Sequence, residues 1–174
     1  MSLCLEEVNY TVDKKALLTD INIRCEAGAL SAIIGPNGAG KSTALKLMSG
    51  DLNPTSGKTL LNQAEISSYS TRELALHRAV MPQQTSPAFG LKVWELVQLG
   101  RAPFAEKHVL TLEHVERSLR TVDALHLADR ELMTLSGGEK QRILLAKALA
   151  QVSVEDVSFG KKKFLLLDEP TASL

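Results

Sequence analysis

The chain has 174 residues, enough for one compact domain or one domain with a small sub-lobe. Lysine plus arginine balance aspartate plus glutamate at 20 each and aromatics are only 4%, so neither a basic nucleic-acid footprint nor a base-stacking platform is expected. Hydrophobic residues at 44% supply a core, yet no apolar run approaches the ~18 residues of a membrane span and the first residues lack a signal-peptide pattern; a membrane role is expected only through a partner.

Cys4 and Cys25 form neither a CxxC pair nor a metal-ligand spacing and read as reduced thiols. Residues 20–24 alternate polar and apolar side chains as a half-buried strand does. The apolar run Leu30-Ser31-Ala32-Ile33-Ile34 ends at a glycine and is predicted to be a buried strand feeding a loop. A helix is predicted over 43–48, closed by the turn formers of 49–57. Residues 58–62 and 78–81 read as strands, the second stopped by Pro82. From about 93 to 128 the pattern turns helical: Val115, Leu119, Val122 and Leu125 recur at helical spacing, with Glu113, Glu116, Arg117 and Arg120 between them. That region is predicted to be a helical sub-lobe inserted into an α/β core. A second clear helix is predicted over 139–150. Phe164-Leu165-Leu166-Leu167, bounded by charge, suits the centre of a parallel sheet covered on both faces.

Three short stretches carry chemistry. Gly35-Pro36-Asn37-Gly38-Ala39-Gly40-Lys41-Ser42 fits the phosphate-loop pattern GxxxxGK[ST] between a predicted strand and a predicted helix. Its glycines let backbone N–H groups turn inward, and the helix running on through Thr43 offers its positive end. Lys41 is placed to reach β- and γ-phosphates and Ser42 to ligate Mg²⁺. Asp168-Glu169 follows the 164–167 run, where an open α/β sheet has its ligand crevice. There Asp168 is a candidate Mg²⁺ holder and Glu169 a candidate for orienting or deprotonating the attacking water. Such a pair alone is more often an exposed acidic turn; a phosphate loop upstream inverts that preference. Ser136-Gly137-Gly138 opens the 139–150 helix, either as a plain N-cap or as a second anion site. Two phosphate-binding elements for one nucleotide suggest a site shared between two copies.

Leu135-Ser136-Gly137-Gly138-Glu139 followed by Lys140-Gln141-Arg142 resembles the signature of ABC ATPases, and Leu165-Leu166-Leu167-Asp168-Glu169-Pro170-Thr171 resembles their Walker B strand. Gln83, after Met81-Pro82, corresponds to the family's Q-loop glutamine. The resemblance covers essentially the whole chain. It implies an α/β P-loop NTPase domain over 1–174: a RecA-like core, an N-terminal antiparallel β part and an α-helical sub-lobe at approximately 84–135. It implies ATP and Mg²⁺ as ligands, nucleotide binding by Gly35 through Thr43 and by Ser136, Gly137 and Gly138, metal binding by Ser42, Gln83 and Asp168, and catalysis by Glu169 with Gln83. Further implications are a head-to-tail dimer with a second ATP-binding subunit, transmembrane permease partners, an indirect periplasmic binding protein and no nucleic acid. The expected location is peripheral, on the cytoplasmic face of the bacterial inner membrane.

Two departures from the family pattern stand out. The adenine-stacking aromatic falls at Val12, with Tyr10, two residues earlier on the same strand face, as its substitute. Thr171-Ala172-Ser173-Leu174 stops where the D-loop aspartate is expected, and none of His77, His108, His114 or His126 lies beyond the Walker B strand to act as the switch histidine. The expectation is a C-terminally incomplete domain with little activity of its own. Asn53-Pro54-Thr55-Ser56-Gly57, Arg78 to Gln83 and Leu99-Gly100-Arg101-Ala102-Pro103 resemble importers of metal chelates; Gln84-Thr85-Ser86-Pro87-Ala88-Phe89 and the long segment 152–163 resemble haemin importers within them. The implied function is the ATPase of a bacterial haemin importer. Siderophore or vitamin B12 import, a non-transport ABC protein and a binding module without turnover are the alternatives.

Overall fold

The computed structural model describes residues 2–83, 90–153 and 163–169, which fall in two compact units, Met1–Leu74 and Ala75–Leu174. In the first unit β1 (Ser2–Val12) runs between β2 (Lys15–Glu26) and β3 (Ser56–Leu61), with the short β4 (Ala64–Glu65) beyond β3, all antiparallel. Both hairpins use two-residue turns with positive φ, Asp13 and Lys14 at 49° and 66°, Asn62 and Gln63 at 54° and 72°. Such turns match the twist of the strands they join. Leu3, Leu5 and Val8 of β1 and Leu61 of β3 are fully or almost fully buried, as are Leu47 and Met48 of helix α1 (Lys41–Ser49), which packs on β1. Each such side chain stabilises the unit by roughly 1.5–3 kcal/mol.

Two expectations for this unit change. Residues 30–34 form no strand: Leu30 is 100% and Ile34 92% exposed, and no ladder partner lies beside them among the described residues. An extended backbone without a neighbouring strand leaves its N–H and C=O groups to water. The 58–62 strand begins two residues earlier, at Ser56. Between Tyr10 and Thr11 the β1–β2 register slips by one residue, the extra residue being Leu17 of β2.

The second unit holds a two-stranded parallel sheet. β5 (Arg78–Met81) follows helix α2 (Thr71–His77) directly and pairs with β6 (Phe164–Leu167), Arg78 opposite Phe164 and Met81 opposite Leu167. Phe164 and Leu166 are buried while Leu165 and Leu167 are half-buried, so β6 is less covered than its apolar run suggested. Helices α3 (Val93–Gln98), α4 (His108–Thr121) and α5 (Gly137–Val152) pack around Val93, Val97, Leu119, Ile143 and Ala146. Helix α5 also covers β5, and Gln151 Nε2 donates to the carbonyls of Ala75 and Arg78 at 2.9 Å each. Helix α4 ends at Thr121, before Leu125, because Asp123 takes φ 51° and breaks the helical path.

A buried ion pair ties these helices together. Arg101, 2% exposed, donates from Nε and Nη2 to the Glu106 carboxylate and from Nη1 to the carbonyl of Ala150 at 2.7 Å. Ala150 lies in the last turn of α5, where carbonyls have no intrahelical partner, so the guanidinium caps that helix. Thr111 Oγ1 donates to Glu106, and the Phe104 ring stacks 3.9 Å from the guanidinium carbon. The close approach requires a glycine before the arginine: a Cβ on Gly100 would stand 2.4 Å from the Lys147 carbonyl oxygen.

Candidate functional site

The loop from Gly35 to Gly40 and the first turn of α1 carry the candidate residues of the first unit. Gly38 and Gly40 adopt left-handed φ values of 80° and 88°, and Gly40 is the N-cap of α1. A side chain at Gly40 is doubly excluded, by φ and because its Cβ would meet Leu18 Cδ2 at 2.6 Å. Gly35, Pro36, Asn37, Gly38 and Ala39 are exposed, whereas Lys41, Ser42 and Thr43, the first residues of α1, are half-buried. Lys41 Nζ turns back into the loop and donates to the carbonyls of Gly35 and Pro36, each at 2.9 Å. The first turn of α1 contains no acidic residue, so an incoming anion meets a lysine charge and an uncompensated helix N-terminus.

The other candidate residues lie in the second unit. The parallel register sets Met81 opposite Leu167, so Gln83 and Glu169 both sit two residues past the last paired position. Asp168 N–H extends the ladder by donating to Met81 O at 3.0 Å. Glu169 then takes φ 46°, a left-handed conformation that costs a non-glycine residue about 1–2 kcal/mol. Its carboxylate accepts a hydrogen bond from Gln83 Nε2, and its carbonyl accepts one from Gln141 Nε2 at 3.3 Å. The fold thus brings Gln83, Asp168 and Glu169 to one end of the β5–β6 pair. Gln141 joins them from α5; the only sequence signal for it was its place in the run after Glu139, which assigned it no role.

Ser136 is the N-cap of α5. Its Oγ accepts from Glu139 N at 3.3 Å, and its own N–H donates to Glu139 Oε2 at 2.7 Å, a complete capping box. The Ser136 hydroxyl and then its N–H hold the Glu139 carboxyl below the usual carboxylate range. This helix start therefore already holds an anion of its own, with Arg130 Nη1 3.8 Å from it, and Gly137 and Gly138 open the helix without side chains. The two helix starts differ in that respect, and only α1 begins without a built-in carboxylate.

Among the described residues no three His, Cys, Asp or Glu side chains gather into a group able to hold a metal ion. Ser42 offers a hydroxyl in the first unit, and Gln83 and Asp168 offer an amide oxygen and a carboxylate in the second; each is a hard oxygen donor of the kind Mg²⁺ takes. No helix among the described residues is long and apolar enough to cross a membrane. Residues 84–89, 154–162 and 170–174, which carry part of the importer resemblance and the segment after Glu169, lie outside the described residues.

Comparison with known proteins gives a consistent result. The family model described as ABC transporter matches residues 18–172. A protein of Rhodopseudomonas palustris (strain BisA53) named hemin import ATP-binding protein HmuV is 43% identical over 169 residues, covering 97% of this chain and 62% of that protein. The protein of the same name from Myxococcus xanthus (strain DK1622) is 40% identical over 176 residues, covering 100% and 65%. The chain thus spans less than two thirds of the length of these relatives. Among solved structures, cbiO1 of Clostridium perfringens, described as part of the ABC transporter complex cbiONQ, superposes with a TM-score of 0.79 at 30% identity, covering 99% of this chain and 66% of that one.

Proposed function

Because the chain belongs to the ABC transporter family, we propose that it is the ATP-binding and hydrolysing part of a bacterial haemin importer. The observation that carries the ATP reading is the exposed Gly35–Gly40 loop, with Lys41 folded into it and an acid-free first turn of α1 behind it. In this reading Lys41 exchanges its two carbonyl acceptors for β- and γ-phosphate oxygens, a charge-assisted and therefore stronger pair of contacts. Glu169 is the catalytic carboxylate, accepting a proton from or orienting the attacking water, and Gln83 Nε2 donates a hydrogen bond to it. Ser42, Gln83 and Asp168 would hold Mg²⁺, which would supply charge neutralisation on the phosphates. Ser136, Gly137 and Gly138 serve the nucleotide of a second copy in a head-to-tail dimer.

The 84–135 region is assigned as the helical sub-lobe, and the haemin reading rests on the names of the relatives at 40–43% identity. The partners are transmembrane permease subunits and, through them, a periplasmic binding protein, which puts the chain peripherally on the cytoplasmic face of the inner membrane. Replacing Lys41 by alanine tests the loop. Each lost charge-assisted contact is worth roughly 1.5–3 kcal/mol, so affinity for a fluorescent ATP analogue should fall at least about tenfold. Unchanged affinity would remove the phosphate-loop assignment.

A further inference from the structure

We propose that Gln141 is a positioning residue for Glu169, holding its backbone so that the carboxylate faces Gln83; this rests on the reading of Glu169 as the catalytic carboxylate. Glu169 is the point where the chain leaves the β5–β6 ladder: Asp168 N–H is still paired with Met81 O, and the next residue turns left-handed at φ 46°. A non-glycine residue stays in that region only where its surroundings hold it there. The hold on its main chain is the Gln141 amide, with Nε2 3.3 Å from the Glu169 carbonyl. The hold on its side chain is Gln83. Release of the carbonyl lets the residue relax toward ordinary backbone angles and swings the carboxylate away from the end of the strands.

The other end of the Gln141 amide argues against a purely structural role. Its Oε1 is buried and has no hydrogen-bond partner among the described residues. A buried acceptor left unpaired is destabilising, and an apolar side chain of the same length would fold at least as well there. Stability alone therefore does not account for a glutamine at this position, whereas a donor aimed at the Glu169 carbonyl does. Its place on α5, anchored on β5 by Gln151, gives that donor a rigid base.

The test is steady-state ATP hydrolysis by the intact protein carrying Gln141→Met, with Gln141→Asn, one methylene too short to reach, as the second variant and Glu169→Gln as control. The expected result is a kcat at least about tenfold lower, as for other misplaced catalytic groups, with KM and thermal stability unchanged. If Glu169→Gln abolishes turnover while both Gln141 variants keep the wild-type kcat, the positioning role is overturned and the reading of Glu169 stands. A kcat loss that tracks an equal loss of thermal stability also overturns it. If Glu169→Gln itself turns over normally, the underlying reading falls and the proposal with it.

Discussion

Replacing Arg101 by methionine should unfold the chain far more easily than its surface position in the sequence would suggest. The substitution keeps the bulk of the stem and removes the charge. It leaves the Glu106 carboxylate, 11% exposed, without its cation, the Ala150 carbonyl without its cap and Phe104 without its stacked guanidinium. Removing one partner of a buried ion pair costs about 3–5 kcal/mol, because the other charge is left uncompensated. That is a large part of the ~5–15 kcal/mol that holds a typical domain. Urea unfolding followed by circular dichroism should show a lower midpoint at an unchanged m-value, and the melting temperature should fall by roughly 6–20 °C for a chain of this length. The double variant Arg101→Met/Glu106→Leu should recover much of the loss, since it leaves no stranded charge. A loss under ~1 kcal/mol for the single variant, the value of an exposed pair, would refute the claim that this pair is buried and structural.

Two further outcomes follow from the same geometry. The Glu106 carboxyl is held below its ordinary value of 4.5 first by the Arg101 hydrogen bond, against the opposing effect of burial, with Thr111 adding to the depression. A group whose folded value is depressed contributes stability above its unfolded value and loses it as pH falls through the folded one. The stability gap between wild type and Glu106→Gln, measured by urea unfolding across a pH series, should be widest near neutrality and close below 4.5; a gap that widens on acidification contradicts this sign. Gly40→Ala forces a Cβ against Leu18 at φ 88°, and should cost at least ~1–2 kcal/mol in stability and weaken binding of a fluorescent ATP analogue; wild-type values for both would show that the loop does not need its left-handed turn.

Much of this was legible because it is local. The Gly35–Ser42 loop is marked by its glycine spacing, α5 by Ile143 and the apolar residues 146–149, and the end of α1 by the turn-rich run in which Gly50 takes φ 78°. β5 and β6 were each visible as a short strand, whereas their pairing was not. What the pattern could not give depends on contacts between distant residues. An apolar run such as 30–34 signals a strand only if another strand lies beside it, and among the described residues none does. Arg101 read as part of a subfamily motif; nothing in composition reveals that its guanidinium is buried between Glu106 and Ala150. Gln141 and Glu169 are 28 residues apart, and only the fold shows that they meet.

The central question is whether Glu169 performs the chemistry. The direct measurement is phosphate release from Mg-ATP, at saturating nucleotide, by the intact protein and by Glu169→Gln. The change replaces a carboxylate by a neutral amide of the same shape and leaves the Gly35–Ser42 loop untouched. The predicted result is turnover by wild type and a rate at least ~10²-fold lower in the variant, the usual loss for one positioned acid–base group, with ATP still bound. Equal rates in the two proteins would contradict the assignment of Glu169.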